Sequence, residues 1–152
     1  MNKCFFIFTD GSAIGNPGPA GWAAIVIHGT KQKEITGSVS WSTVSEMELR
    51  AAVEALRLTP AGARIELRSD SELLIHGMRF RVHRWNRFGW RNSRGFELQH
   101  QELWHELLLL NADRTIRWLW VKGHSGHPIQ SRADVLACQA ARSVAVQERL
   151  AA

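Results

Sequence analysis

A mixed α/β sheet with helices on its faces is the fold class that this 152-residue sequence predicts. Three strand-like runs follow one another within the first forty or so residues, separated by turn-forming glycines. A capped helix comes next, and from there helical and strand-like segments alternate. Strands joined by short turns form an antiparallel meander, whereas helix–strand alternation adds strands through crossovers.

The first strand is expected over about Lys3 to Thr9 and is almost wholly apolar, which places it centrally in the sheet. Asp10 ends that run and opens a stretch rich in glycine and proline, Gly11 to Pro19. The second strand is Gly21 to His28, and Gly29-Thr30 turns it into a third, Gln32 to Ser40. Thr43-Val44-Ser45-Glu46 is a capping-box pattern, so a helix should run from there to about Leu58, before Pro60 and Gly62. Arg64 to Ser69 alternates as a fourth strand. Helical segments follow from Ser71 and again from Leu98 to Asn111. Thr115 to Val121 is the fifth strand, Gly123 to Pro128 a loop, and Ser131 to about Glu148 the last helix.

Composition narrows the classes. With 45% hydrophobic and 22% charged residues, the chain reads as one globular domain over residues 1–152. No apolar stretch approaches the ~20 residues of a membrane span, and the N-terminus lacks a signal-peptide pattern. A cytoplasmic monomer with no membrane partner is therefore expected. Cys4 and Cys138 show no metal-ligand spacing and read as small buried hydrophobes. The net charge is +5, and six arginines between Arg79 and Phe96, with no acid among them, account for it. Without that segment the chain would carry −1, so the basicity is a local patch suited to a polyanion.

Four acids stand where a structural acid is hard to explain. Asp10 and Asp70 each end a strand, the place where sites form in sheets with crossover helices. Glu48 is followed at helical spacing by Ala51, Ala52 and Ala55, and Asp134 by Ala137, Cys138 and Ala141. Such small faces pack closely on a sheet, and a carboxylate on their rim is costly without compensation. A turn or N-cap role for each aspartate, or a dipole interaction for Asp134, is the simpler alternative. Together, the four suit two Mg²⁺ ions about 3.5–4 Å apart, with Mn²⁺ a possible substitute. His124, between Gly123 and Gly126, adds an exposed imidazole, a group suited to acid–base work. The backbone of the Gly11–Ser12 loop could grip a nucleic-acid strand, and Asn16 could bond a ribose hydroxyl. Arg81, Arg84 and Arg87 form a helical stripe, interleaved with Trp85, Phe88 and Trp90 and followed by Arg91.

These residues, in this order, make the chain resemble the bacterial type 1 ribonuclease H family (ribonuclease HI) over nearly its full length. The resemblance rests on Thr9-Asp10-Gly11-Ser12 with Gly15-Asn16-Pro17-Gly18-Pro19, Met47-Glu48-Leu49, Ser69-Asp70-Ser71, Trp85 with Gly89-Trp90, Trp120-Val121-Lys122-Gly123-His124, and Asp134 with Leu136-Ala137. It implies a ribonuclease H-like fold, in which a five-stranded mixed sheet, three antiparallel meander strands plus two parallel strands, is flanked by helices. It also implies metal-dependent hydrolysis of the RNA strand of RNA–DNA hybrids, leaving 5′-phosphate and 3′-hydroxyl ends. Asp10 would bridge two Mg²⁺ ions, Glu48 and Asp70 would hold one, and Asp134 the other. His124 would assist proton transfer or product departure. Gly11, Ser12, Asn16, Thr43 and Ser71 would contact the hybrid, and the arginine segment would act as a basic protrusion on the DNA strand. The chain departs from the family pattern at Trp41, Val44, Ser45 and His100, where an arginine and amides are common. The alternatives are a hybrid-binding module that does not cut, and a DNA-cutting nuclease of the same fold.

Overall fold

Residues 3–152 are described by a computed structural model. The strands are β1 (Phe5–Ala13), β2 (Gly18–His28), β3 (Lys31–Ser42), β4 (Arg64–Ser69) and β5 (Thr115–Trp120). The helices are α1 (Val44–Arg57), α2 (Glu72–His76), α3 (Val82–Arg87), α4 (Gln101–Ala112) and α5 (Pro128–Ala151), with a π-helical turn, Gly77–Arg81, between α2 and α3. The strands form one sheet in the order β3-β2-β1-β4-β5. β1 pairs antiparallel with β2 and parallel with β4, β2 pairs antiparallel with β3, and β4 pairs parallel with β5. The expected meander and the two parallel strands are all present, and apolar β1 is the central strand.

The hairpin of β1 and β2 is longer than the composition suggested. β1 does not stop at Thr9, because Asp10, Gly11, Ser12 and Ala13 continue the ladder opposite Ala23, Trp22, Gly21 and Ala20. Gly11, read as a loop former, and Gly21, read as the start of the second strand, are both packing positions. A Cβ on Gly11 would lie 2.7 Å from the Glu48 backbone nitrogen, and one on Gly21 would lie 2.6 Å from the Ala137 carbonyl oxygen. Both approaches are shorter than a side chain tolerates, so glycine lets α1 and α5 close on the sheet there. Glu48 and Asp134 ride on those two helices.

α1 begins as expected. Thr43 Oγ1 accepts from the Glu46 N–H at 3.2 Å, and the Glu46 carboxylate accepts from the Ser42 hydroxyl. The alanine stripe of α1 is fully buried, as are Ala133, Ala137 and Ala141 of α5. The core between α1, α4 and the sheet holds Ile7, Leu49, Leu56, Leu67 and Trp104. Trp104 lies against Gly77, where a Cβ would stand 2.3 Å from its ring. Trp118 is buried and donates its indole N–H to Asn111 Oδ1 at 3.0 Å.

α5 starts at Pro128, three residues ahead of the expected Ser131. Proline suits the first helical position, where its missing N–H would have no partner, and His127 Nδ1 caps the turn by facing the Gln130 N–H at 3.5 Å. The earlier start places Gln130 inside the first turn. No helix among the described residues is long and apolar enough to cross a membrane.

Candidate active site

β1 and β4 are adjacent parallel strands, so Asp10 on β1 and Asp70 just beyond β4 come together. α1, brought close by Gly11, adds Glu48. Carboxylate oxygens of these three residues lie within 4.8 Å of one another. Asp10 is 4% exposed and Glu48 5%. Asp134 lies outside the tight triad but lines a cavity of about 20 Å³ together with Asp10, Asp70, His124 and Gln130. All four acids and the histidine therefore belong to one locus.

The structural roles weighed against these acids fall to other residues. Ser71 caps α2, its Oγ accepting from the Leu74 N–H at 3.2 Å, which leaves the Asp70 carboxylate for the site. Asp134 lies nearly two turns inside α5, too far in for a first-turn dipole interaction. Among the described residues no lysine or arginine forms an ion pair with any of the four acids. Asp10 Oδ1 accepts from the Gly11 N–H at 2.9 Å, and Glu48 Oε2 is buried with no hydrogen-bond partner.

The electrostatic consequence is large. Burial, then the neighbouring Asp70 charge, pushes the Asp10 carboxyl up to about 7. Burial, then Asp10, holds Glu48 well above the ordinary carboxylate range. Asp70 is also raised, mainly by burial. Crowded, desolvated and without a lysine or arginine partner, the cluster needs positive charge. Its donors are hard oxygens, which suits a divalent cation.

The remaining expected residues sort unevenly. His124 is exposed, with a left-handed backbone (φ 56°), on a loop whose Gly123 approaches Asp70. Ser12 donates to Cys138 Sγ at 3.5 Å, and Cys138 lies 3.8 Å from Asp134 Oδ1. Cys4 and Cys138 are both only partly buried, and Cys138 abuts the site rather than filling a core. Asn16 Oδ1 accepts from the Val44 N–H at 3.0 Å, tying the β1–β2 turn to α1 and leaving its amide nitrogen as a donor for a ribose.

The arginine segment changes most. Arg81, Arg84 and Arg91 line a groove with Phe88, and Arg87 is absent from that lining. Arg81 sits at the junction of the π turn and α3 with φ −123°, so a uniform helical stripe does not form. Arg87 instead lies near the Phe88 ring, 5.9 Å from its centroid. Trp85 is a correction to the stacking role: at 8% exposure it packs edge-on against Trp104 at 4.8 Å, leaving only a margin on the groove. Trp90 is half-buried and tilts against His105 at 5.7 Å, on a second groove bearing Glu46, Glu97, Glu102 and Glu106. Trp120 is 46% exposed and donates its indole N–H to the Asp70 carbonyl at 3.1 Å. Sequence reasoning missed Gln130, which shows no motif of its own.

A β3-β2-β1-β4-β5 sheet that gathers carboxylates beside β1 and β4, in a chain that also carries an arginine-lined groove, is the arrangement of a nuclease that hydrolyses phosphodiesters. The comparisons with known proteins resolve the class further. A family model described as RNase H matches residues 2–142, so the chain belongs to the RNase H family. It is 44% identical over 134 residues to the Ribonuclease H of Pelobacter propionicus, covering 88% of this chain and 82% of that protein. It is 45% identical over 135 residues to the Ribonuclease H of Hahella chejuensis, covering 89% and 91%. The Ribonuclease HI of Caulobacter vibrioides is 40% identical over 136 residues, covering 90% and 91%. Among solved structures, LC9-RNase H1, described as a type 1 RNase H with the type 2 active-site motif, superposes with a TM-score of 0.83 at 27% identity, covering 94% of this chain and 74% of that one. LC11-RNase H1, solved in complex with an RNA/DNA hybrid, shares the fold with a TM-score of 0.69 at 22% identity, covering 91% and 97%.

Proposed function

We propose that this enzyme cuts the RNA strand of RNA–DNA hybrids at the Asp10–Glu48–Asp70–Asp134 cluster, using two divalent cations, Mg²⁺ or Mn²⁺. The observation that carries the reading is the buried, mutually repelling triad with an unpartnered Glu48 oxygen and no basic partner. When bound there, such ions would supply Lewis acidity for the phosphate and a more acidic water. Asp10 and Asp70 both belong to the triad and both line the cavity with Asp134, and Asp10, the more buried of the two and on the central strand, is the one that would be shared between two ions. Glu48 and Asp70 would hold one ion with it and Asp134 the other. His124, on its exposed loop, is within the same cavity lining and can accept or return a proton at the reacting phosphate. Hydrolysis by water attack at phosphorus with departure of the 3′-oxygen leaves a 5′-phosphate and a 3′-hydroxyl. Incubating labelled hybrid, double-stranded RNA and double-stranded DNA with and without divalent cation tests this directly. Cleavage confined to the RNA of the hybrid is expected; cutting of duplex DNA would overturn it.

The groove of Arg81, Arg84 and Arg91 is the proposed seat of the DNA strand. Each phosphate neutralised contributes about 0.9 to the slope of log affinity against log salt. Replacing Arg81 and Arg84 together by alanine should weaken hybrid binding and shallow that slope by about 2. A filter-binding titration across salt concentrations checks it, and an unchanged slope would mean these arginines only solvate the surface.

Trp41 offers a second handle on affinity. It is 71% exposed at the end of β3, one residue before Ser42 and two before the α1 cap. Trp41→Arg should strengthen hybrid binding and steepen the salt slope by about 1, because it adds one cation beside the substrate path. Equal slopes for both proteins would show that position 41 lies off the nucleic acid.

A further inference from the structure

Gln130 is the one buried side chain in the catalytic cavity that has an unused hydrogen-bonding atom and no part in the acid cluster. It is 6% exposed, and its Nε2 donates to the Thr9 carbonyl at 3.0 Å, immediately before Asp10. That bond fixes the amide's orientation chemically, since a carbonyl can only accept. Oε1 is therefore the end left without the Thr9 contact. It is fully buried and has no partner in the protein. The cavity that Gln130 lines measures about 20 Å³, enough for a single water, which needs about 10–15 Å³. Its other walls include Asp10, Asp70, Asp134 and His124. An amide oxygen among carboxylates has no use for another acceptor. It calls for a donor, and water is the neutral donor of the right size.

We propose that Gln130 is a positioning residue for hydrolysis: Thr9 anchors its amide nitrogen, and its Oε1 orients a water held between Asp10, Asp134 and His124. This rests on the hydrolytic reading of the same site. Oε1 accepts one hydrogen of the water and so turns an oxygen lone pair away from itself, toward the mouth of the cavity. Gln130 gives no proton and forms no bond to substrate; it acts through the water alone. The placement depends on α5 starting at Pro128, which swings Gln130 into the first turn.

The decisive test pairs a crystal structure with kinetics for the wild type and Gln130→Met, which matches the side chain's length without its polar atoms. In the wild type a water is expected within about 3.0 Å of Oε1, and in Gln130→Met that water should be lost while the α5 backbone stays in place. For hybrid cleavage kcat should fall by about 10–100-fold, as for other partners that orient a reacting group, with KM unchanged. Gln130→Asn, one methylene shorter, should give an intermediate kcat and serves as the test if the methionine variant does not fold. A dry Oε1 in the wild type, or unaltered kcat in a folded variant, would overturn the proposal. A fall in melting temperature with kcat intact would reduce Gln130 to a tether between α5 and β1. Failure of the wild type itself to cut hybrid would instead sink the hydrolytic reading, so the two outcomes separate.

Discussion

Asp10→Asn should reduce hybrid cleavage by ~10³-fold or more while making the metal-free protein more stable at neutral pH. The two effects share a cause. Asp10 is buried, belongs to the triad and lines the Asp134 cavity, so under the proposed reading its charge would serve both ions. Removing it takes away several kcal/mol of favourable cation binding, which at about 1.4 kcal/mol per tenfold means at least three orders of magnitude in rate. The same charge, without a cation, is surrounded by Glu48 and Asp70 with no basic partner. Asparagine keeps the shape and the contact to the Gly11 N–H but drops the repulsion. Cleavage assays on labelled hybrid, set beside thermal melts in a chelating buffer, read both effects. Retained cleavage, or a variant less stable than wild type without metal, would contradict the assignment.

The second large effect concerns pH. In the metal-free protein the Asp10 carboxyl is raised from 3.8 to about 7, so the native state binds its proton more tightly than the unfolded chain does. Stability from this group is therefore complete below about pH 4 and is lost as pH rises through 7. At about 1.36 kcal/mol per unit, the loss by pH 8 is on the order of 4 kcal/mol. Glu48, shifted in the same direction, adds to it. Melting temperatures in chelator should fall between pH 5 and pH 8 by roughly 10 °C, given about 2–4 °C per kcal/mol for a domain of this size. A divalent cation should remove most of that fall, because it binds the ionised native cluster and not the unfolded chain. The Asp10→Asn protein should show a flatter pH profile and a smaller response to the cation. A wild-type melt that ignores both pH and metal over this range would mean the acids are not mutually destabilising.

The acid cluster was legible because its residues look wrong for the structural alternatives. Glu48 and Asp134 sit on the rims of alanine faces whose burial is complete in the folded chain, and local pattern is enough to read such a face. The capping signature at Thr43 was legible for the same reason, since a cap is a contact between residues three apart. The arginine surface was legible as charge but not as geometry. Spacing alone assumes uniform helix, and the π turn from Gly77 to Arg81 breaks that assumption, so Arg91 rather than Arg87 faces the groove with Arg81 and Arg84. Trp85 illustrates the complementary failure. A tryptophan between arginines reads equally well as a stacking platform or as core, and only the approach of Trp104 from α4 decides for core.

By itself the sequence determined the order of strands and helices, the meander, the acid set and the local concentration of basic charge. Each depends on residue type and near-neighbour spacing, which hydrophobic periodicity and capping chemistry encode directly. The tertiary structure decided how far those acids converge, and it did so through close approach. Gly11 lets α1 bring Glu48 to Asp10, and Gly21 seats α5 on the hairpin. The resulting burial is what lifts Asp10 to about 7. It also gave Gln130 its place, because a contact between residues 9 and 130 exists only after α5 docks on β1. Desolvation and long-range packing are properties of the assembled fold, and no local pattern in the chain carries them.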